Sequence, residues 1–442
     1  MAGDLVCHDC GATYDDGRTR CDCGEPLWYD VAPDGFAWDA TADGRGVRRY
    51  ADLLPDVAVE GLGVGTGGGG VVGIGSGDEA RTGAARVVGR GSGDTGRPRT
   101  DLAGAAGDTP LVRAGRLDEF AGARVWLKDE TENPTGSFKD RGSAVGVAAA
   151  AARGTECVGT VSHGNMAMSV SAFAAAAGLE ALVLVPADIP PERLAHVAAY
   201  DPELVAVDGD YGQLYRDTLA LEHPVAFLNS DVPLRVAGQK TTAIEIAEAF
   251  ARGLGDAMPD AVVLPVSSGG HASAAWKGFR DLVAAGLLDA AAMPRLYLVQ
   301  AAACAPIAAA DRRGADAVTP VAAGETIAFS IANGDPPSGN RALAAARETG
   351  GAVVSVGDEA IREARRVLAT RAGLQVEPAS AVALAGLRQL AADGAVGDEE
   401  DAVVVATGTG FTEADAGAGA DAVDPTTIDL ADLAEAVDGL VG

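Results

Sequence analysis

The chain has 442 residues, of which 48% are hydrophobic, so it is long enough to bury the cores of about two to three domains. Its 63 acidic residues outnumber its 34 lysines and arginines, and a formal charge of -29 disfavours nucleic acid and anionic membranes as partners. No apolar run approaches the roughly 20 residues of a membrane span, and the start lacks a secretory signal pattern, which predicts a cytoplasmic protein.

The chain has only four lysines: Lys128, Lys139, Lys240 and Lys277. Few lysines and an excess of aspartate are typical of halophilic proteins of the haloarchaeal type, because salt screens the repulsion among surface acids. Since arginines and acids occupy most surface positions, each remaining lysine is informative. We therefore examine the motifs in which the lysines lie.

A tight group of four cysteines lies near the N-terminus: Cys7, Cys10, Cys21 and Cys23. In a cytoplasmic chain, Cys-x-x-Cys followed by Cys-x-Cys indicates thiolate ligation of zinc rather than disulfides. We predict a zinc-ribbon-like module over residues 1–30. Because the second pair is spaced more tightly than is common, the alternatives are a ribbon that has lost its metal and one that uses His8 as a ligand.

The remainder of the chain divides by composition. Residues 31–100 form a connecting segment, in which a Gly-rich insertion occupies about 56–100. Residues 101–415 alternate apolar runs with Ala-rich stretches, and we predict one large domain there, with a smaller subdomain at about 142–245. Residues 416–442 form an acidic tail to which we assign no chemistry.

Nine short apolar runs, separated by helical patterns, predict the strands of a buried parallel sheet. The runs are Val125–Lys128, Cys157–Val161, Ala181–Val185, Leu204–Val207, Val225–Leu228, Val262–Val266, Leu296–Val299, Val353–Val356 and Val403–Val405. Because they lack polar alternation, we expect an α/β fold with helices on both faces of the sheet. Ligands of such folds bind beyond the carboxyl ends of the strands, so the turns that follow strands are the candidate sites.

Lys139 lies in the loop Asn133–Gly142, which reads Asn-Pro-Thr-Gly-Ser-Phe-Lys-Asp-Arg-Gly and runs into an Ala-rich helix. A lysine at a helix start and partly removed from water has a depressed pKa, which makes it nucleophilic towards an aldehyde. We predict that Lys139 is a catalytic lysine. The alternative is a solvated lysine, with Asp140 and Arg141 as ordinary helix-start charges.

Two turns have the composition of anion sites. The turn Ser162–Asn165 follows a predicted strand and exposes backbone N–H groups at a helix start, where a carboxylate binds well. A second turn combines hydroxyls, glycine amides and a helix start, as in a phosphate cup: Ser267, Ser268, Gly269, Gly270 and His271. Simple strand-to-helix turns are the alternative for both.

Two further strand ends carry polar groups. Asn229 and Ser230 follow one strand, and Arg235 comes five residues later, which suits a second phosphate because a guanidinium binds two oxygens at once. An ordinary surface arginine is the alternative. Thr407 follows the last strand, where its hydroxyl is placed to face a pyridine nitrogen.

With these turns in view, the chain resembles the threonine synthase family, pyridoxal-phosphate enzymes of the tryptophan-synthase-β fold. The motifs that carry the resemblance include Gly107–Val112, Asn133–Arg141, Asn229–Thr241 and Val376–Ala381. The resemblance implies a two-domain α/β fold, called fold type II, with the ribbon-like module at the N-terminus and the catalytic domain at 101–415. It also implies a homodimer, and conversion of O-phospho-L-homoserine and water to L-threonine and phosphate.

The resemblance assigns roles to residues of this sequence. It implies that Lys139 binds pyridoxal 5'-phosphate as a Schiff base, that Asn165 holds the O3' oxygen, and that Thr407 approaches the pyridine nitrogen. The cofactor phosphate would bind at Ser267, Ser268, Gly269, Gly270 and His271. The substrate carboxylate would bind at Ser162, Asn165 and Met166. The substrate phosphate would bind through three residues, with help from a fourth: Asn229, Ser230, Arg235 and Arg141.

The sequence departs from the family pattern in three places. The phosphate cup usually reads Gly-Asn-x-Gly-Asn, whereas here it reads Ser-Ser-Gly-Gly-His over residues 267–271. The segment Ile331–Pro336 replaces the usual Ile-Arg-Ile-Gly-Asn-Pro, so that Ala332 stands where the family has a cation and Asp335 where it has an amide. Val232 and Met166 are also atypical. The exact substrate therefore stays open between phosphohomoserine and the substrates of paralogous lyases, namely a serine/threonine dehydratase or a cysteate-synthase-like enzyme using phosphoserine. A regulatory protein without activity is the alternative of a different class, against which the Lys139 motif argues.

Overall fold

The structure is a computed structural model that describes residues 3–412, except 16, 32–34, 42–43, 64–99, 163, 188, 190–193, 210 and 222, and also positions 427, 430 and 437. Most of the predicted Gly-rich insertion at about 56–100, and nearly all of the acidic tail at 416–442, therefore lie outside the described residues. The predicted ribbon and the turns of the candidate site are described, apart from position 163.

Within these residues the strands form three sheets. The strands are β1 (Asp4–Cys7), β2 (Thr13–Tyr14), β3 (Leu27–Asp30), β4 (Leu111–Arg113), β5 (Arg124–Asp129), β6 (Cys157–Val161), β7 (Glu180–Pro186), β8 (Glu203–Val207), β9 (Val225–Phe227), β10 (Ala261–Pro265), β11 (Arg295–Ala301), β12 (Ala352–Val356) and β13 (Asp401–Ala406). All nine strands predicted from the apolar runs are present, each within two residues of its predicted bounds.

The helices fill the gaps between strands. The α-helices are α1 (Asp56–Gly61), α2 (Asp118–Ala121), α3 (Lys139–Ala152), α4 (Asn165–Ala177), α5 (Ala195–Ala198), α6 (Tyr211–Ala220), α7 (Pro233–Gln239), α8 (Thr241–Ala251), α9 (Gly270–Ala284), α10 (Pro306–Arg312), α11 (Gly339–Glu348), α12 (Asp358–Val367) and α13 (Pro378–Ala392). Short 3-10 helices lie at Trp38–Thr41, Gly46–Leu53, Ala103–Ala105, Gly115–Leu117, Glu130–Glu132, Ala290–Ala292 and Phe329–Ile331, and Leu368–Ala372 forms a π turn. None of the helices in the described part of the chain is long and apolar enough to cross a bilayer.

Two parallel sheets carry the architecture. The larger has the order β12-β11-β10-β13-β5-β4, and only its edge strand β4 pairs antiparallel, with β5. The smaller has the order β8-β7-β6-β9 and is parallel throughout. Because parallel strands of one sheet end at the same edge, the turns that follow β10 and β13 lie side by side. The turn that follows β6 in the smaller sheet lies near them.

Neighbouring residues along a strand of the larger sheet point into two different hydrophobic cores. On β10, Val262 and Leu264 pack with α8, α9 and α11, whereas Ala261 and Val263 pack with α12 and α13. A strand with apolar neighbours on both faces needs apolar residues at every position. This explains why the sequence runs show no alternation.

The N-terminal module is an antiparallel sheet of order β2-β1-β3 that packs onto the larger domain. Trp28 of β3 lies against Trp276 of α9, with ring centroids 5.4 Å apart. The buried Arg341 of α11 donates from Nη1 to the carbonyls of Pro26 and Leu27 at 3.2 and 3.1 Å. The module is therefore tied to the larger domain by both aromatic packing and hydrogen bonds.

Candidate active site

A cavity of about 1360 Å3 opens at the carboxyl ends of β6, β10 and β13, and α3, α4 and α9 begin at its wall. Most of the residues predicted for the site line it: Lys139, Ser162, Asn165, Met166, Ser230, Ser267, Ser268, Gly269, Gly270, His271 and Thr407. Three others lie away from the lining as the structure describes it: Asn229, Arg235 and Arg141. The strand-end turns are thus brought together, but not every residue in them faces the cavity.

Lys139 is the first residue of α3, and its side chain is half-buried at the cavity wall. The other three lysines each contact a carboxylate, in the pairs Lys128–Glu245, Lys240–Asp281 and Lys277–Asp30. Within the described part of the chain, no carboxylate forms an ion pair with Lys139. Burial, reinforced by the positive charge of Arg235, lowers the pKa of the Lys139 amine to about 7. Such an amine is partly unprotonated at neutral pH and is able to attack an aldehyde.

Arg235 lies behind Lys139 and outside the described lining of the cavity, so its predicted contact with a substrate phosphate stays a prediction. Its side chain is fully buried on α7, where Nη1 donates to Ser143 Oγ at 2.9 Å and Nη2 donates to the Lys139 carbonyl at 3.1 Å. A guanidinium held in this way does not reach the cavity. Its charge acts on the lysine instead, by disfavouring the protonated amine.

Arg141 also lies outside the described lining of the cavity, and its predicted part in substrate binding stays a prediction. It is fully buried and bridges Glu130 at 2.7 Å and Glu245 at 2.6 Å, while Lys128 contacts Glu245 at 2.6 Å. Burial opposes ionisation of Glu245, but the charges of Arg141 and Lys128 outweigh it and hold the pKa of that carboxyl below its ordinary value. The network ties α3 to β5 and α8.

Asn229 is the third predicted site residue that lies outside the described lining of the cavity. Its side chain is fully buried, with Oδ1 accepting from the Val161 amide at 2.9 Å and Nδ2 donating to Thr218 Oγ1 at 2.9 Å. These bonds join the end of β9 to the end of β6 and to α6. Asn229 thus holds the turn together, while its neighbour Ser230 lines the cavity.

The predicted phosphate cup closes over the start of α9. Gly269, the residue before α9, has a φ of 87°, and a Cβ at this position would lie 2.4 Å from the Ser338 carbonyl oxygen. The Ser338 amide in turn donates to the Ser268 carbonyl at 2.8 Å. Only glycine combines the left-handed backbone with so close an approach. The cup is therefore fixed by the segment before α11, and the first-turn N–H groups of α9 face the cavity as an anion site.

His271, in the first turn of α9, is a neutral wall of the cavity. Its ring stacks on Phe138, with centroids 4.0 Å apart, and Nε2 lies 3.2 Å from Thr242 Oγ1. Burial lowers the pKa of His271 to about 3, so the ring carries no charge at neutral pH. The ring would therefore supply no positive charge to a phosphate site.

Two hydrogen-bonded pairs face each other across the end of β13. Thr407 Oγ1 lies 2.8 Å from Ser380 Oγ, and Asn165 Nδ2 donates to Glu377 Oε2 at 2.9 Å. Glu377 and Ser380 received no role in the sequence analysis, although both lie in the motif Val376–Ala381. That motif was the available signal, because it places a carboxylate and a hydroxyl at the start of a helix.

The cavity has the chemical groups that pyridoxal phosphate requires. It offers an amine of lowered pKa on Lys139, a glycine-containing cup at the start of α9, and the Thr407 hydroxyl in place of a carboxylate. Its volume exceeds the roughly 300–1,000 Å3 of an ordinary ligand pocket, which leaves room for a second molecule. The residues present therefore fit the cofactor.

The N-terminal module contributes part of the cavity wall, which the sequence analysis did not anticipate. Gly17, Arg18, Thr19, Arg20 and Gly24 line it. Nothing in the spacing of the cysteines indicates where the loop between them lies, so the sequence carried no usable signal for this wall.

The four N-terminal cysteines converge on one point. Sγ of Cys7 lies 3.6 Å from that of Cys23, and Sγ of Cys10 lies 3.4 Å from that of Cys21, with all four sulfurs within 4.8 Å of one another. Tetrahedral zinc with bonds of about 2.3 Å separates its sulfurs by about 3.8 Å, so the group fits this metal. His8 points elsewhere, against Trp28.

The two parallel sheets and this cavity define a pyridoxal-phosphate-dependent enzyme of the tryptophan-synthase-β fold. A family model described as pyridoxal-phosphate dependent enzyme matches residues 102–408. The chain is 38% identical to threonine synthase of Methanocaldococcus jannaschii, over 70% of this chain and 76% of that protein, and 39% identical to threonine synthase of Methanosarcina acetivorans, over 68% and 74%. The chain belongs to the threonine synthase family.

Solved structures agree on the fold. A threonine deaminase from T.th. matches with a TM-score of 0.55 and 26% identity, covering 72% of this chain and 94% of that one. Maize serine racemase matches with a TM-score of 0.57 and 19% identity, covering 75% and 92%. The expected α/β architecture of fold type II is confirmed.

Proposed function

We propose that this enzyme converts O-phospho-L-homoserine and water into L-threonine and phosphate, as a step of threonine biosynthesis. The observation that carries the proposal is Lys139, an amine that forms no ion pair within the described residues and has a pKa lowered to about 7, at the wall of a cavity large enough for cofactor and substrate together. Membership of the threonine synthase family supports the choice of substrate.

Lys139 has two tasks in this reaction. It first holds the cofactor covalently and then, once the substrate amine displaces it, moves protons at Cα and Cβ as a general base and acid. The bound cofactor supplies the electron sink that makes these protons acidic. Phosphate leaves from Cγ, which gains a proton to become the methyl group of threonine, and the hydroxyl of water adds at Cβ. An amine with a pKa near neutrality suits both directions of proton transfer.

Thr407 and Asn165 are assigned to opposite sides of the cofactor ring. The Thr407 hydroxyl, supported by Ser380, would face the pyridine nitrogen of the bound cofactor without supplying a negative charge that favours its protonation. A neutral ring suits elimination and replacement better than transamination. Asn165, whose amide is oriented by Glu377, would donate to the O3' oxygen.

The start of α4 is assigned to the substrate carboxylate. Ser162, Asn165 and Met166 line the cavity there, and α4 continues for 13 residues, so its first N–H groups carry the positive end of a helix dipole. Ser162 Oγ accepts from the Gly164 amide at 3.3 Å, which orders the turn. The carboxylate would thus bind mainly through the backbone.

The first test is cofactor binding. The purified enzyme should have visible absorbance that borohydride abolishes, and Lys139→Ala should lose this band while remaining folded. Lys277→Arg is the matched control, since it changes a lysine that lies outside the cavity lining and keeps the charge that binds Asp30 and Asp281. If the wild-type enzyme stays colourless after incubation with pyridoxal phosphate, the assignment of Lys139 as the cofactor-binding lysine is wrong.

The second test identifies the substrate. Phosphohomoserine, phosphoserine, threonine and serine should be incubated separately with the enzyme at high salt, with phosphate, threonine and keto acid followed. We expect equal amounts of phosphate and threonine from phosphohomoserine. A paralogous dehydratase is the second candidate, because Asn229 and Arg235 do not face the cavity and no longer argue for a phosphorylated substrate. Keto acid from unphosphorylated threonine or serine would support it instead.

The four cysteines are proposed to hold a structural zinc ion, because their sulfurs already stand at tetrahedral separations. Metal analysis of the purified protein should find one zinc per chain. A Cys10→Ser variant should lose it, whereas Cys304→Ser, a buried cysteine outside the cluster, should not.

The enzyme is further proposed to act in the cytoplasm as a homodimer, as the family resemblance implies. Light scattering of the purified enzyme at high salt should give twice the chain mass of 44.2 kDa. A mass equal to one chain would exclude the dimer.

A further inference from the structure

The cavity wall is cationic although the chain is strongly acidic. Its described lining contains four cationic side chains against two carboxylates: Arg18, Arg20, Lys139 and Arg216 against Asp335 and Glu377. In a protein of net charge -29, such a local excess of positive charge favours an anionic ligand. Lys139 is committed to the cofactor, so the remaining cations are the candidates for the substrate.

Arg20 has the most central position among these cations. Its Nη2 donates to Asp231 at 2.6 Å, in the turn that follows Ser230, and its Nη1 donates to the Pro337 carbonyl at 2.8 Å, directly after the segment Ile331–Pro336. These are the two segments that the sequence analysis connected with the substrate end of the site. Arg20 therefore joins them from the side of the N-terminal module.

The orientation of Arg20 is fixed by its hydrogen bond to Asp231. Asp231 is buried, and it also accepts hydrogen bonds from Tyr215 and Ser338. The two contacts of Arg20 use only part of the five N–H donors of a guanidinium, and about a quarter of its side chain (26%) remains exposed in the cavity. A guanidinium oriented by a fixed carboxylate is suited to bind an oxyanion with its remaining donors.

Two cations that the family resemblance would place at this site do not line the cavity. Ala332 stands where the family pattern has arginine, and Arg235 is buried behind Lys139. Arg216, on the same wall, contacts Asp335 at 3.1 Å, and both side chains are more than half exposed. Arg20 is thus the arginine that combines a fixed orientation with access to the cavity.

We propose that Arg20 of the N-terminal module is a substrate-binding residue that holds the distal phosphate of the substrate. The module is then part of the active site as well as a metal-binding unit. This inference rests on the proposed function, since it assumes a phosphorylated substrate. A purely structural role would instead make Arg20 a clamp that fastens the module through Asp231.

Steady-state kinetics of the cofactor-loaded enzyme separate the two roles. Arg20→Gln should raise KM for phosphohomoserine, and weaken competitive inhibition by inorganic phosphate, by about tenfold to a hundredfold, the range for one charge-assisted hydrogen bond. Arg20→Lys should recover part of both. Cofactor absorbance and affinity should not change in either variant.

Asp30→Asn is the matched control, because it removes the ion pair of Asp30 with Lys277, which also fastens the module, without touching the cavity lining. A clamp role predicts that Arg20→Gln and Asp30→Asn lower the melting temperature and leave KM unchanged, and that result would overturn the proposal. A rise in KM confined to the Arg20 variants would support it.

Phosphate binding distinguishes failure of this inference from failure of the proposed function. Inorganic phosphate can be titrated against the cofactor-loaded enzyme by calorimetry, without turnover. If wild type makes no threonine but binds phosphate in an Arg20-dependent manner, the reaction is wrong and the anion site stands. If wild type makes threonine and Arg20→Gln binds phosphate and substrate as well as wild type does, the reaction stands and the role of Arg20 is wrong.

Discussion

Two buried arginines act on the site without lining it. The guanidinium of Arg235 donates to the Lys139 carbonyl and places a positive charge near the Lys139 amine, which forms no ion pair with a carboxylate of the described residues. Arg141 lies two residues after Lys139 on α3, and its charge is instead neutralised by Glu130 and Glu245. The helix that carries Lys139 thus has a positive charge behind it, which lowers the pKa of the amine.

This arrangement predicts the pH dependence of cofactor capture. An ordinary lysine has a pKa of about 10.4, so a Lys139 pKa lowered to about 7 means that unprotonated amine accumulates as pH rises through 7. The rate at which cofactor-free enzyme gains visible absorbance with pyridoxal phosphate should therefore rise through about pH 7 and then level off. In Arg235→Gln the midpoint should move upward, because the charge that disfavours protonation is gone.

Arg388→Gln is the control, since it removes a charge from an exposed pair with Glu363. Its midpoint should match that of wild type. A wild-type rate that keeps rising to about pH 10 would contradict the lowered pKa.

At the residue scale, the sequence predicted which residues line the cavity where their position relative to a strand end decides it. Asn165, Gly269 and Thr407 lie within four residues of the end of a strand, so the fold carries them to the cavity. Arg235 lies in the interior of α7, where rotation by one residue turns a side chain by about 100° about the helix axis. The spacing of Arg235 from Ser230 predicted that this arginine lies near the cavity, but only the packing of α7 against α3 determines which way its guanidinium faces.

The cup before α9 depends on one backbone conformation. Gly269→Ala would place a Cβ 2.4 Å from the Ser338 carbonyl at a left-handed φ, so we expect a loss of stability of about 3 kcal/mol and weaker cofactor binding. Gly154→Ala is the control, with a φ of 74° and no atom within 4 Å of the added Cβ; it should cost about 1 kcal/mol. Urea unfolding and cofactor titration measure both effects, and equal losses in the two variants would refute the close-approach argument.

The network that joins α3 to β5 and α8 makes a second prediction for the elements. Arg141→Met leaves the buried Glu130 and Glu245 with Lys128 as their remaining cation in this network, and should destabilise the enzyme by about 3–5 kcal/mol. Arg113→Met, which removes a partly exposed pair with Asp118, should cost less than about 1 kcal/mol. Chemical denaturation of both variants tests the difference; a neutral Arg141→Met would contradict the role of the network.

At the element scale, the sequence identified the nine parallel strands because a strand buried on both faces must be apolar throughout. It did not identify β4, which has three residues of intermediate or high exposure. Edge strands of this kind lack a hydrophobic signal. The strands of the N-terminal module were equally hidden, since each has only two to four residues.

The net charge predicts how the whole molecule responds to salt. With -29 on one chain, repulsion among acids opposes the compact state, and salt near 1 M shortens the screening length to about 3 Å. The melting temperature should therefore rise steeply from low to molar KCl. Sucrose, which screens no charge, should give a smaller rise at matched osmolality. Equal effects of the two solutes would argue against a halophilic surface.

The contact of Arg341 with Pro26 and Leu27 joins residues about 315 positions apart in the chain. During synthesis at about 5–20 residues per second, the N-terminal module emerges tens of seconds before the helix that will fasten it. Its small sheet has to keep its shape, or regain it, without that partner. Metal capture by the nascent cysteines would give the ribosome-bound chain a folded first segment, and active-site assembly would finish only when the last third of the polypeptide arrives.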